Sequence, residues 1–223
     1  RHKERVRLFE IGMIFEKNKE LNQDYHVGGI IYGNSEQKQW NKEDKLCDFF
    51  NMKCDIEVLL QHILGTKKFR FSDESVDILH PGQGVSIYVN ENKAGYFGQL
   101  HPVISSKLNF VKEVFVFHLN LESIETKERA KYKPVSKFPI TKRDISIVVD
   151  EKINFSEILD SIEKNTSDLL VNLELFDIYQ GKGIEKGKKS VALGLTFQSI
   201  RSTLTDEEID NNMRSLIKGL SDH

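Results

Sequence analysis

Cysteine, proline and tryptophan are scarce in this chain: among 223 residues there are two cysteines (Cys47 and Cys54), four prolines and one tryptophan, Trp40. Two thiols seven positions apart, with no Cys/His set at zinc spacing beside them, exclude a disulfide framework and a zinc-finger-type metal site. An excess of charge of either sign is missing too. With 32 Lys and Arg against 34 Asp and Glu the net charge is −2, so bulk charge gives no argument for nucleic acid, and any RNA contact must be local. No apolar run nears the roughly 20 residues needed to span a bilayer, and no leader pattern opens the chain. With 39% hydrophobic and 30% charged residues, the composition is that of an ordinary soluble, cytoplasmic globular protein. The length suits one large domain or two of about 100 residues each. The chain opens at Arg1, without methionine and inside a strand-like pattern, and reads as a fragment of something longer.

What is present sorts into two halves. In the first, Leu8–Phe15 and His26–Gly33 are expected strands joined by a polar loop, Lys17–Asp24. Phe49, Met52, Ile56, Leu59, Leu60 and Ile63 recur at helical spacing and predict a core-facing stripe. Further strands are expected at Phe69–Phe71, Val85–Val89, Ala94–Gln99 and Val114–Leu119. Short strands outnumber helices, and a hairpin-like connection at Asn90–Asn92 favours an antiparallel sheet over a βαβ series. A charged, unpatterned stretch from Glu122 to Lys133 marks the boundary, giving domains 1–130 and 131–223. Pro134 and Pro139 then frame an extended entry into the second half.

That second half reads strand, helix, strand, strand, helix. Ile145, Ile147 and Val149 alternate with Asp144, Ser146 and Val148 as a half-buried strand. Asn154 with Glu157, and Thr205 with Glu208, are helix starts of the capping-box type. The expected class is α+β, with a ferredoxin-like βαββα unit carrying both helices on one side of an antiparallel sheet. A fourth strand normally follows the last helix of that plan. The two central strands, paired as a hairpin centred near Gly183–Ile184, set Asp177 opposite Ser190 and Phe176 opposite Val191. Val191, Leu193, Leu195 and Phe197 then face the helices. Ser190, Ala192, Gly194, Thr196, Gln198, Asp177 and Tyr179 face the other way, a small polar surface with one exposed aromatic. Apolar parity changes near Leu175–Phe176, which predicts a bulge there.

Tyr179 offers a π-face to an unstacked base, Asp177 accepts from a guanine-type N–H edge, and Ser190 donates or accepts. Lys182, Lys186, Lys188 and Lys189 cluster on the adjoining turn as possible phosphate contacts. A solvated sheet face and hairpin tip would use the same residues.

Several ordered motifs carry a resemblance. Lys137-Phe138-Pro139, Arg143-Asp144-Ile145-Ser146, Leu175-Phe176-Asp177-Ile178-Tyr179-Gln180-Gly181, Lys189-Ser190 and Arg201-Ser202-Thr203-Leu204-Thr205-Asp206-Glu207-Glu208 resemble the ferredoxin-fold anticodon-binding domain. That domain ends the β chain of bacterial phenylalanine–tRNA ligases. Upstream, Leu8-Phe9-Glu10-Ile11-Gly12, Asp48-Phe49-Phe50, Leu79-His80-Pro81-Gly82 and Gly98-Gln99-Leu100-His101-Pro102 are similar to the noncatalytic, class II synthetase-like core domain of the same chain. The resemblance implies anticodon recognition by Asp177, Tyr179 and Ser190, with tRNA(Phe) and the α subunit of an α2β2 ligase as partners. It implies ATP and Mg2+ for the assembled enzyme, catalysis on the α subunit, and no catalytic residue, metal or cofactor in this stretch. Family members often add a basic contact past the last helix, which this sequence does not include.

Other patterns carry less. Gly181 to Ser190 imitates a phosphate-binding loop, but five residues separate Gly181 from Gly187, Lys189 intrudes before Ser190, and no helix follows. His80 and His101, each before proline, are expected to be structural, and Asp206, Glu207 and Glu208 to be first-turn acids favoured by the helix dipole. Trp40 is expected to be partly buried against the sheet. Two rival functions stand beside the RNA reading: a regulatory or protein-interaction module that dimerises through its sheet face, and a first domain that is itself an ATP-dependent ligase.

Overall fold

The computed structural model describes residues 4–17, 21–65, 69–124 and 134–221. The chain divides into two compact units, Arg1–Lys131 and Tyr132–His223, each with its own core, in an α+β architecture.

In the first unit β1 (Arg5–Lys17), β2 (Leu21–Gly33), β3 (Phe69–Ser72), β4 (Leu79–Val89), β5 (Asn92–Leu100) and β6 (Val114–Asn120) form one antiparallel sheet, in the order β1-β2-β6-β5-β4-β3. Against one face lie α1 (Phe49–Leu64) and the short α3 (Leu121–Ile124), whose Ile124 joins the same core, while α2 (Pro102–Lys107) follows β5. Helix α1 starts at Asp48 because Asp48 and Asn51 cap one another. The Asn51 N–H donates to Asp48 Oδ1 at 2.8 Å, and the Asp48 N–H donates to Asn51 Oδ1 at 3.1 Å. Its buried stripe, Met52, Ile56, Leu60 and Leu64, packs on Val27, Ile31, Phe97 and Phe115. The turn between β4 and β5 places Asn90 and Glu91 at φ 49° and 64°, the left-handed pair that a two-residue hairpin requires.

Two expectations for this unit change. The loop expected over Lys17–Asp24 is largely strand: Lys17 ends β1 and Leu21 begins β2, while 18–20 lie outside the described residues. Only His26–Tyr32 of β2 pairs with β6. The hairpin therefore extends past the core, where Gln23 and Asp24 sit in the ladder without being buried and polarity no longer signals a loop. Trp40, expected to be partly buried, is 98% exposed. Its loop closes instead on polar contacts, Ser35 N–H to Lys45 O at 2.8 Å and Lys42 Nζ to Glu36 at 2.6 Å.

The second unit runs β7 (Thr141–Asp150), α4 (Phe155–Asn165), β8 (Leu170–Tyr179), β9 (Lys188–Phe197) and α5 (Asp206–Ser221), with sheet order β7-β9-β8, all antiparallel. Ser136 Oγ donates to Ser199 O at 2.7 Å and Gln198 Nε2 to Phe138 O at 2.7 Å, pinning the entry segment to the end of β9. Val191, Leu193, Leu195 and Phe197 are buried against Ile158 and Ile162 of α4 and Ile209 and Leu216 of α5. The two helices approach closely at Gly219, where a Cβ would lie 2.1 Å from the Asn165 side chain. Helix α5 opens as anticipated: the Glu208 N–H donates to Thr205 Oγ1 at 3.3 Å and the Thr205 N–H donates to Glu208 Oε2 at 2.8 Å.

Leu193 lies at the centre of this core with no exposed surface. Leu193→Ala is expected to lower the second unit's stability by about 2–5 kcal/mol, whereas Val148→Ala, on the exposed face of β7, should cost well under half of that; denaturant titration separates the two. In the first unit, Glu74 accepts from Lys93 Nζ at 2.9 Å and Tyr88 Oη at 2.7 Å, and the lysine above all holds its carboxyl below the ordinary carboxylate range. A depressed folded value stabilises above the unfolded pKa and is lost as pH falls through the folded one. The stability gap between wild type and Glu74→Gln should therefore be present near neutrality and close on acidification, as thermal unfolding across pH will show.

Candidate nucleic-acid interface

Helices α4 and α5 cover one face of the three-stranded sheet, and the alternation of β9 delivers the opposite face. Ser190, Ala192, Gly194 and Thr196 stand there between buried neighbours. Register aligns the rows. Val148, Ser190 and Tyr179 cross the sheet at one end, followed by Ser146, Ala192 and Asp177, then Asp144, Gly194 and Glu174, then Lys142, Thr196 and Asn172. Asp177, Tyr179 and Ser190, the three residues singled out from the sequence, thus share the face without a helix.

The pairing differs from the expected one by two residues. Tyr179 is opposite Ser190, and Asp177 is opposite Ala192. The connection is longer than a minimal hairpin and folds on itself, with Ile184 N–H to Gly181 O at 3.1 Å and Lys188 N–H to Glu185 O at 3.0 Å. A shift of two preserves side-chain parity, so Asp177, Tyr179 and Ser190 keep the expected face although their opposite partners change. The irregularity expected near Leu175–Phe176 is present as a register shift between Leu175 and Asp177. Its consequence was not anticipated: Phe176 is turned onto the open face. The ring lies 3.8 Å from where a Cβ on Gly194 would sit, and is 56% exposed. The face carries two aromatics where one was expected, because a bulge breaks the period-of-two rule at the residue it displaces.

Tyr179 is 46% exposed, and its hydroxyl donates to Lys182 O at 3.2 Å, which tethers the ring beside the turn and leaves part of its surface open. Ser190 Oγ lies 2.9 Å from Ser146 Oγ. One hydroxyl of that pair donates to the other, and the second keeps a proton to offer outward. Asp177 is exposed, and among the described residues no ion pair holds it.

The four turn lysines separate in space. Lys189 has the parity of the buried residues, and its ammonium donates to Glu151 O at 3.0 Å and Ile153 O at 2.7 Å, away from the open face. It therefore drops out of the set of possible phosphate contacts, because lysine parity on a strand decides which side its stem leaves from. Lys188 pairs with Glu185 at 2.7 Å; that hydrogen bond raises the lysine pKa and lowers the glutamate's. Lys182 and Lys186 are exposed and without an ion pair among the described residues. The turn thus offers two uncompensated cations beside Tyr179.

The other candidates are placed simply. His101 is the N-cap of α2, its Nδ1 accepting from the Val103 N–H at 3.2 Å, and His80 Nδ1 accepts from the Gly82 N–H at 3.0 Å; both histidines serve the backbone. Among the described residues no three His, Cys, Asp or Glu side chains form a metal-holding group. On the six-stranded sheet, the side away from α1 carries a ring stack of His26 on His118 at 4.7 Å and His118 on Tyr96 at 5.2 Å.

Comparison with known proteins gives two family matches. Residues 1–121 match the phenylalanyl tRNA synthetase beta chain CLM domain, and residues 136–223 match the ferredoxin-fold anticodon binding domain. Similar curated proteins include the phenylalanine–tRNA ligase beta subunits of Pseudoalteromonas translucida, 39% identical over 226 residues, and of Coxiella burnetii, 39% identical over 222 residues. That of Methylococcus capsulatus is 35% identical over 222 residues. Each alignment covers 99–100% of this chain but only 28% of the relative, so the chain spans little more than a quarter of the length of these proteins.

Proposed function

Since the chain belongs to the phenylalanyl-tRNA synthetase β-chain CLM-domain family, we propose that its second unit receives the anticodon loop of tRNA(Phe) on the sheet face opposite α4 and α5. The observation that carries this reading is the convergence of Asp177, Tyr179 and Ser190 on a helix-free face beside Lys182 and Lys186. An anticodon base stacks on Tyr179, Asp177 accepts from its N–H edge, and the hydroxyl pair Ser146–Ser190 offers one outward proton. Lys182 and Lys188 supply the phosphate contacts, the latter by exchanging Glu185 for phosphate. With so few cations the phosphate share of affinity is small, in keeping with the net charge of −2.

The first unit serves as a scaffold that docks against the rest of the ligase, the α subunit in particular. Edge strand β1 supports this role, because Leu8, Phe9, Ile11 and Phe15 are all more than half exposed. An edge strand apolar on both faces is incompletely buried by its own unit. The assembled enzyme, an α2β2 cytoplasmic ligase in this reading, uses ATP and Mg2+ on its α subunit. No described helix is long and apolar enough to cross a membrane.

Titration of an anticodon stem-loop tests the RNA reading. Tyr179→Ala should weaken binding by about 1–3 kcal/mol, and Lys182→Ala should reduce the log–log salt slope by about 0.7 with little base preference. Equal binding by wild type and Tyr179→Ala would remove the face from consideration.

A further inference from the structure

The ring stack on the first unit's sheet stops one strand short of the edge. Tyr96 on β5 and His118 on β6 are direct cross-strand partners, and His26 follows on β2. Their centroids step by 5.2 Å and then 4.7 Å, with the planes inclined by 28° and 19°. Those steps match the ~4.8 Å between neighbouring strands, so the rings stand in file across the side of the sheet away from α1. The next place in the file lies over edge strand β1, where the partner of His26 is Gly12. Gly12 is exposed, and a Cβ built on it would meet no atom within 4 Å among the described residues. On the same side of β1, Glu10 and Ile14 stand two residues to either side of it. Ile14 is 37% exposed, while Glu10 is exposed and in no ion pair among the described residues. Facing Glu10 across the ladder is Gly28, again without a side chain.

We propose that this open place is a binding slot for a small aromatic amine, a planar ring bearing a cationic ammonium arm. The ring lies over Gly12 against the outer face of His26, as the fourth member of the file, and the ammonium pairs with Glu10. The proposal is independent of the RNA reading of the second unit. Four features support it. First, strand spacing sets a ring over β1 at the separation that stacked aromatic pairs prefer. Second, glycine inside a strand weakens it and often marks a close approach by a ligand; Gly12 is the residue of its row that would otherwise fill the slot. Third, the rim selects charge. No Lys or Arg stands on this side of β1 between Val6 and Ile14, and Asp24, the neighbouring carboxylate on β2, accepts from Asn120 Nδ2 at 3.5 Å. Glu10 lies two residues from Gly12, about 7 Å along the strand, a gap that its own stem and a two-carbon ammonium arm cover together. Fourth, the wall carries an unmet polar atom. His26 Nδ1 is buried without a hydrogen-bond partner among the described residues, the kind of orphan that a bound donor satisfies.

Nuclear magnetic resonance of the imidazole protons tests the slot directly, with phenethylamine as the probe. 3-Phenylpropanoate supplies the ring with the opposite charge, and butylamine supplies the ammonium without the ring. A ligand of about ten heavy atoms at ordinary efficiency should bind with a dissociation constant of about 1–10 mM, shifting the His26 protons first. Phenylpropanoate should bind about 3- to 5-fold more weakly, and butylamine should leave His26 unshifted. Gly12→Leu places an aliphatic side chain where the ring would lie and should abolish the shift. His26→Ala should weaken binding, followed at His118, roughly 5- to 10-fold, and Glu10→Gln should erase the preference for the amine over the acid. The slot is overturned if phenethylamine leaves His26 unshifted, or if Gly12→Leu binds it as wild type does. Equal binding of amine and acid by wild type would overturn the ligand class. Circular dichroism and melting report whether Gly12→Leu is folded; where it is not, Glu10→Gln, an exposed change, and the His26 shift in wild type decide the matter.

Discussion

Everything on the second unit's surface depends on the placement of both helices on one side of a three-stranded sheet. Strand β9 lies in the middle of that sheet and is committed on both faces by its period of two. Val191, Leu193, Leu195 and Phe197 are buried under α4 and α5, so Ser190, Ala192, Gly194 and Thr196 have nowhere to go but the opposite face. The residues alternating with the large apolar ones are small. The uncovered face is therefore low enough for a planar ring to approach the backbone, and its taller features come from β8 at the rim. One packing requirement thus creates the core and the surface together.

Electrostatics around that surface is selective because some of the nearby charges are already engaged. Lys189 is spent on two main-chain carbonyls and Lys188 on Glu185, and Arg143 reaches Asp206 at 3.2 Å. Among the described residues, Asp177, Asp144 and Glu174 on the face, Lys142 at one end, and Lys182 and Lys186 at the other have no ion pair. Exposed ion pairs contribute little to stability, so their consequence here is to decide which charges a ligand meets free and which, like Lys188, it must first draw from a partner. A chain of nearly balanced charge can present a locally polarised surface in this way.

The first unit follows a different constraint. Its core is closed by α1 over the middle of the sheet, while β1 and β2 form a hairpin of 13-residue strands that extends past the helix. Leu8, Phe9, Ile11 and Phe15 along β1 are left more than half exposed. The same geometry explains why polar residues near Asp24 are in a strand: backbone pairing within the hairpin continues regardless of burial.

Much was legible along the chain because it is governed by local rules. The capping pairs Asn154–Glu157 and Thr205–Glu208, the stripe of α1, the alternation of β7 and β9, and the parity that groups Asp177, Tyr179 and Ser190 all follow from local rules acting within short windows. The sequence by itself determined which face each of those residues occupies. Only the tertiary structure decided who sits opposite whom. The pairing of Tyr179 with Ser190 depends on how the 180–187 turn folds, and the outward turn of Phe176 on one displaced residue in β8. The same holds for Lys189, which finds its carbonyls only when Glu151 and Ile153 are brought to it from the end of β7. Periodicity sets the side of a sheet, whereas register and long-range contacts arise from packing that no short window contains.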